Sequence, residues 1–203
     1  MNPKIRELLD RIAVLEEEVE QEFARRRQAL HADFEDRRVR FEREVLEQQR
    51  RFRNGLWAYL RQSELRHVLS APVIFSVIVP ILLLDLVVTA YQRICFPLYK
   101  IPRVRRRDYL VFDREHLGYL NMIEKFNCAY CSYANGVIAY VREVAGRTEQ
   151  YWCPIKHARR IYQAHPYYDG FVDFGDASAY STELRSLREA LRELKQAQGD
   201  QLD

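Results

Sequence analysis

Residues 68–91 read "VLSAPVIFSVIVPILLLDLVVTAY", 24 positions with a single charge, Asp85. A helix needs about 20 apolar residues to cross a hydrocarbon core of about 30 Å, so this run is long enough to do so. It is apolar on every side, and a chain of 203 residues has no core large enough to enclose it. Everything else in the protein therefore has to fold beside this segment. Pro80 lies near its middle, after Pro72 and Ser76, and predicts a kink or a break. Asp85 is expected to be paired, protonated or beside a polar pocket, because a lone charge among apolar groups is costly. Basic residues flank both ends, Arg50, Arg51, Arg53, Arg61 and Arg66 before the run and Arg93, Lys100, Arg103, Arg105, Arg106 and Arg107 after it, so charge bias assigns no orientation. Two topologies follow. In one the helix spans, with the chain ends on opposite sides. In the other the segment turns back at Pro80 as a re-entrant hairpin with arms of about 17 Å, and both ends stay in the cytoplasm.

The sequence that follows, "YQRICFPLYKIPRVRRRDY", mixes Tyr91, Phe96 and Tyr99 with basic residues, as an interfacial belt does. Residues 100–107 hold five basic side chains and no acid. Lys100, Arg103, Arg105, Arg106 and Arg107, with Asp85, form the expected lipid-interface set, at about 1 kcal/mol per basic residue against anionic headgroups. Cys95 at this boundary is expected to pack, with acylation the lesser alternative.

Ahead of the apolar run, residues 4–62 hold no proline and one glycine, Gly55. Apolar residues recur there every eleven positions in two series, Leu8, Val19, Leu30, Phe41, Phe52 and Ile12, Phe23, Phe34, Val45, Leu56. An offset of four puts both series on one helix face, and an eleven-residue period means about 3.67 residues per turn. The pattern predicts a long coiled-coil helix over residues 1–66 that buries this stripe by pairing copies of the chain. Residues 1–66 carry 15 Lys and Arg against 14 Asp and Glu. Such balance points to ion pairs along and between helices and argues against a nucleic-acid surface. The first 21 residues, "MNPKIRELLDRIAVLEEEVEQ", lack the apolar core of a secretory signal, which places the expected N-terminus in the cytoplasm.

Three of the four cysteines fall in "NCAYCSYANGVIAYVREVAGRTEQYWCPIKH", residues 127–157. Cys128 and Cys131 form a C-x2-C, and Cys153 and His157 a C-x3-H. Three thiolates and an imidazole are the ligand set of a closed tetrahedral zinc site, with iron less favoured. Pro154 suits the first turn of a helix that would bring His157 to the same side as Cys153, and a helix broken at Gly146 would carry the chain out and back. His116 and His165 are alternative ligands to His157. A thioredoxin-like redox pair normally follows a β-strand, and the residues before Cys128 read as helix instead.

Three stretches, "YQRICFPLYKIPRV", "NCAYCSYANG" and "RTEQYWCPIKHA", resemble motifs of a group of small bacterial membrane proteins. The resemblance covers residues 70–158 and omits the N-terminal repeat. It implies a bacterial source and an inner-membrane location, and it brings no activity with it.

The tail from Ser181 places Leu184, Leu187, Leu191 and Leu194 at heptad spacing, as a short amphipathic helix. Asp169, Asp173 and Asp176 lack the spacing of a calcium loop. The expected architecture is mainly α: a coiled-coil helix (1–66), a membrane-inserted helix or hairpin (67–99), a basic linker with a small metal-stapled helical domain (100–176), and a C-terminal helix (177–203). No nucleophile–base pair, phosphate loop or carboxylate pair names a reaction. The function expected is that of an oligomeric scaffold or adaptor at the membrane, presenting a cytoplasmic surface to a protein partner. The alternatives are a membrane-associated thiol oxidoreductase, a lipid-modifying enzyme built on Asp85, and a metal or redox sensor.

Overall fold

The computed structural model describes residues 3–29, 32–35, 38–41, 43–53, 55, 61 and 64–199. The described chain is mainly helical. Helix α1 runs Pro3–Ala29, strands β1 (Ala32–Glu35) and β2 (Arg38–Phe41) pair antiparallel, and α2 runs Arg43–Arg50. Then follow α3 (Leu65–Ser76), α4 (Ile78–Tyr99), α5 (Met122–Trp152) and α6 (Ala177–Gly199). The chain divides into two compact units, Met1–Ser63 with Phe112–Ala129, and Glu64–Val111 with Tyr130–Asp203.

In the first unit the single helix expected over residues 1–66 is interrupted. Register sets Ala32 opposite Phe41, Asp33 opposite Arg40, Phe34 opposite Val39 and Glu35 opposite Arg38. Apolar and charged residues alternate here with period two, and the register opposes like with like among apolar residues and acid with base among charged ones, so this stretch satisfies a hairpin as well as an eleven-residue repeat. Of the expected stripe, Ile12, Val19 and Phe23 lie on α1 and are 50%, 54% and 54% exposed. Val45 is half-buried on α2, and Phe52 is exposed in the turn after it. Phe34 and Phe41 fall in the strands, and the side chains of both and of Leu8 lie outside the described ones, as do Leu30 and Leu56. Gly118 donates its N–H to the Gln49 side chain at 2.8 Å, with no room for a Cβ against Leu46 and Gln49. Asn121 starts α5 with a capping box. Its side chain accepts from the N–H groups of Ile123 and Glu124 at 3.0 Å, and Glu124 accepts the Asn121 N–H at 2.8 Å.

In the second unit α3 and α4 form one nearly continuous apolar helix, Leu65–Tyr99. Pro80 has no N–H for the Ser76 carbonyl, and the ladder lapses one turn earlier, at Val77. Val77 keeps right-handed helical dihedrals (φ −62°, ψ −19°), so the chain continues forward and the reversal of a hairpin is not formed. Helix α4 ends in a Schellman corner. Lys100 adopts φ 58°, its N–H donates to the Pro97 carbonyl, and the Ile101 N–H donates to that of Phe96 at 2.9 Å. Ile101 and Phe96 close the corner from inside and belong to the core with Val104, Tyr140 and Val144.

From this corner residues 100–111 return as an irregular strap alongside α4. The pairs formed with α5 rise together along both helices: Asp85 with Tyr133, Gln92 with Tyr140, Tyr99 with Tyr151. Helices α4 and α5 therefore run parallel, with the strap antiparallel between them. Gly136 permits this approach, since a Cβ there would stand 2.6 Å from the Tyr109 carbonyl oxygen. Helix α6 docks on the same unit through Leu191, which is fully buried, with the Leu187 carbonyl accepting from Gln150 at 2.9 Å.

Candidate functional site

Asp85, Thr89 and Gln92 occupy one face of α4 at spacings of four and three, with buried Ile81 and Phe96 at its ends. This face forms a polar ledge on an otherwise apolar helix. Asp85 is 6% exposed, and its carboxylate receives four donors: Nε and Nη2 of Arg106 at 2.8 and 2.5 Å, the Tyr133 hydroxyl at 2.8 Å and the Thr89 hydroxyl at 3.3 Å. The fork-on-carboxylate geometry is the strongest form an Arg–Asp pair takes. One helix turn pair further on, Gln92 clamps the strap. Its amide oxygen accepts the Val104 N–H at 3.0 Å, and its amide nitrogen donates to the Val104 carbonyl at 3.2 Å and to the Tyr140 hydroxyl at 2.5 Å. Each polar group the strap brings to the helix thus meets a complementary one, which removes the cost of covering them.

A second cluster anchors the start of the strap. Arg147, 4% exposed, donates from Nη1 to the Pro102 carbonyl at 2.8 Å and from Nε to Glu143 at 2.8 Å. The Tyr167 hydroxyl donates to the same Glu143 carboxylate. Burial, with the hydrogen bond to Glu143 behind it, pushes the Tyr167 phenol up to about 12. Nearby, His165 Nε2 and Glu149 are 2.9 Å apart, and the His165 ring covers Gly146, where a Cβ would come within 2.9 Å of it.

That contact accounts for one correction. Gly146 does not break the helix; it makes room for His165, and α5 continues to Trp152. Cys131 lies on α5 and Cys153 directly follows its last residue, 22 positions further on, about 33 Å at 1.5 Å per residue. Cys128 lies one turn before Cys131. Residues 153–157 are not helical, since Cys153 as the residue before Pro154 disfavours helix, and Ile155 bridges in parallel to Val172. His157 lies flat against Tyr168, ring centres 6.2 Å apart, and its N–H donates to the Tyr168 hydroxyl at 2.6 Å. The Cys128, Cys131, Cys153, His157 set is therefore not brought together within one chain, and among the described residues no group of three or more His, Cys, Asp or Glu stands where a metal ion could be held. The alternative ligands have other work: His165 pairs with Glu149, and His116 lies 3.7 Å from Glu115.

The interface set divides as well. Arg106 turns inward to Asp85, while Lys100, Arg103 and Arg107 are exposed and Arg105 is half-buried. Asp173 pairs with Lys156 at 2.8 Å, and Asp176 accepts the Ala179 N–H at the start of α6. Beside α4, Val88 and Tyr91 with Val141, Val144, Thr148 and Trp152 of α5 line an open apolar groove of about 480 Å³.

No family model matches the chain, and neither does any curated protein or solved structure.

Among the described residues one helix, Leu65–Tyr99, is long and apolar enough to cross a membrane by length and composition. Sequence reasoning singled out Asp85 and Arg106 without joining them, and it passed over Gln92, Gly136 and Arg147. The one available signal was the i, i+4, i+7 recurrence of Asp85, Thr89 and Gln92 inside an apolar run.

Proposed function

We propose that this protein is a membrane-anchored scaffold. The Leu65–Tyr99 helix holds it to a bilayer, the exposed apolar residues of α1 pair copies of the chain, and the α5–α6 layer offers a surface to a protein partner. The observation that carries this reading is the exposure of the long helix: in its most apolar 18-residue window only 6% is buried. Fourteen large apolar side chains stand exposed between Leu65 and Leu98, among them Leu69 at 68%, Leu83 at 60%, Leu86 at 69% and Leu98 at 72%. Burying each contributes about 1.5–3 kcal/mol. The sum exceeds the whole net stability of a domain, about 5–15 kcal/mol. A face of this size needs an apolar neighbour.

The test is fractionation of the full chain expressed in a bacterium, with alkaline carbonate and high-salt washes of the membrane pellet. Retention through both washes and release by detergent is the expected result. Recovery in the soluble fraction as a discrete oligomer would replace the bilayer with a second copy of the chain.

A further inference from the structure

We infer that the Leu65–Tyr99 helix lies along one leaflet of the bilayer, half-embedded, and does not cross it; this rests on the membrane reading above. Three observations lead there. The helix has 35 residues, about 52 Å, against a hydrocarbon core of about 30 Å. A crossing would leave roughly 20 Å of exposed apolar helix in water, whereas a helix lying in the plane has no such limit.

The second observation is what travels beside α4. Because the antiparallel strap and the parallel α5 both run alongside α4, every level of α4 from Asp85 to Tyr99 has polar groups beside it. Arg106, whose side chain is 42% exposed, stands at the level of Asp85, and exposed Arg103 lies next to Val104 at the level of Gln92. Further along, Thr148 and Tyr151 of α5 sit at the levels of Tyr91 and Tyr99, which brings Arg147 and Glu149 with them. Crossing the membrane would draw this layer into hydrocarbon, at about 2.5–3.5 kcal/mol per charged residue near the centre. The strap is also irregular backbone, which hydrocarbon tolerates only where protein or water covers it.

The third is how the two sides of α4 differ. Ile81, Asp85, Gln92 and Phe96 face the strap and α5 and are buried. Val79, Leu83, Leu86 and Leu98 lie on the opposite side and are exposed at 65%, 60%, 69% and 72%. A helix with one face roofed by a polar layer and the other apolar but for exposed Arg93, whose long side chain reaches toward the headgroups, fits the interfacial zone, with the apolar face about 5–10 Å into the headgroup–acyl boundary.

The experiment uses the full chain in sealed vesicles of phosphatidylcholine and phosphatidylglycerol. Leu69→Trp, Leu83→Trp and Leu98→Trp are introduced singly into a Trp57→Phe, Trp152→Phe background, and bromines on the acyl chains report depth. Equal quenching at all three positions, strongest from bromines near the headgroup, is expected. Strongest quenching of position 83 from chain-end bromines, with 69 and 98 shallow, would establish a crossing helix and overturn the inference while keeping the membrane reading. No quenching at any position would remove both. Wild-type protein tagged at each end gives a second readout that depends on no substitution. External protease should remove both tags or neither from each molecule, and loss of one tag alone would mean a crossing helix.

Discussion

The Arg106 guanidinium straddles the Asp85 carboxylate, Nε 2.8 Å from one oxygen and Nη2 2.5 Å from the other, across 21 residues of sequence. That one pair explains both the charge inside the apolar run and one of the five cations of residues 100–107. It also ties the strap to the helix at the point where the ledge begins. A double-mutant cycle of Asp85→Asn and Arg106→Gln, followed by denaturant unfolding in detergent, should give a coupling of about 1–3 kcal/mol. Additive effects would mean that the pair does not hold the strap.

Gly136 is the position least able to accept a side chain. A methyl group there would stand 2.6 Å from the Tyr109 carbonyl oxygen and 2.7 Å from Leu110 Cδ2, and a backbone oxygen cannot swing away. Gly136→Ala should destabilise the protein by about 1–3 kcal/mol despite the better helix propensity of alanine. Thermal unfolding compared with Ala139→Gly, at an exposed site on the same helix, separates the two contributions. An unchanged Gly136→Ala melting point would show that the strap does not press on α5.

Tyr167 sets an alkaline limit. Its phenol is held protonated to about 12, whereas in an unfolded chain it titrates near 10. Above pH 10 the unfolded state loses this proton first, so its stabilising contribution is complete below pH 10 and is lost as pH rises through about 12. Urea unfolding between pH 9 and 12 should fall more steeply for the native protein than for Tyr167→Phe. Parallel curves would place the titration elsewhere.

The cysteines give a fourth prediction. With α5 unbroken from Met122 to Trp152, Cys131 and Cys153 of one chain are held about 33 Å apart along the helix axis. Cys131→Ser and Cys153→Ser should each unfold at the native temperature, and a chelator should leave that temperature unchanged. One zinc per chain, lost in either variant together with folding, would require α5 to break.

These outcomes bear on what can be read from residues alone. The long apolar helix was legible because its composition leaves a chain little choice, and the heptad leucines of α6 were legible because a single stripe serves a single partner. Ligand spacing carries meaning only if the residues between loop back, and residues 132–152 stay helical through both of their glycines, Gly136 being small to admit the strap and Gly146 to admit His165. The polar ledge was illegible for the opposite reason. Asp85, Gln92, Val104, Arg106, Tyr133 and Tyr140 come from three segments, and only the parallel course of α4 and α5 brings them together. The N-terminal repeat shows a third case, in which residues 32–41 satisfy two periods at once and the backbone took the shorter one.

Parallel helices stack their peptide dipoles in the same sense, so α4 and α5 present their partial negative ends at one pole of the unit. Antiparallel neighbours would cancel there; these reinforce. Arg188 of α6 answers that accumulation, donating from Nε to the last-turn carbonyl of Tyr151 at 2.8 Å while its guanidinium lies 4.7 Å from the centre of the Tyr151 ring. The C-terminal helix is thus more than a lid over apolar side chains: it delivers a counter-charge to the pole that the parallel arrangement creates, so removing α6 would expose a field as well as a surface.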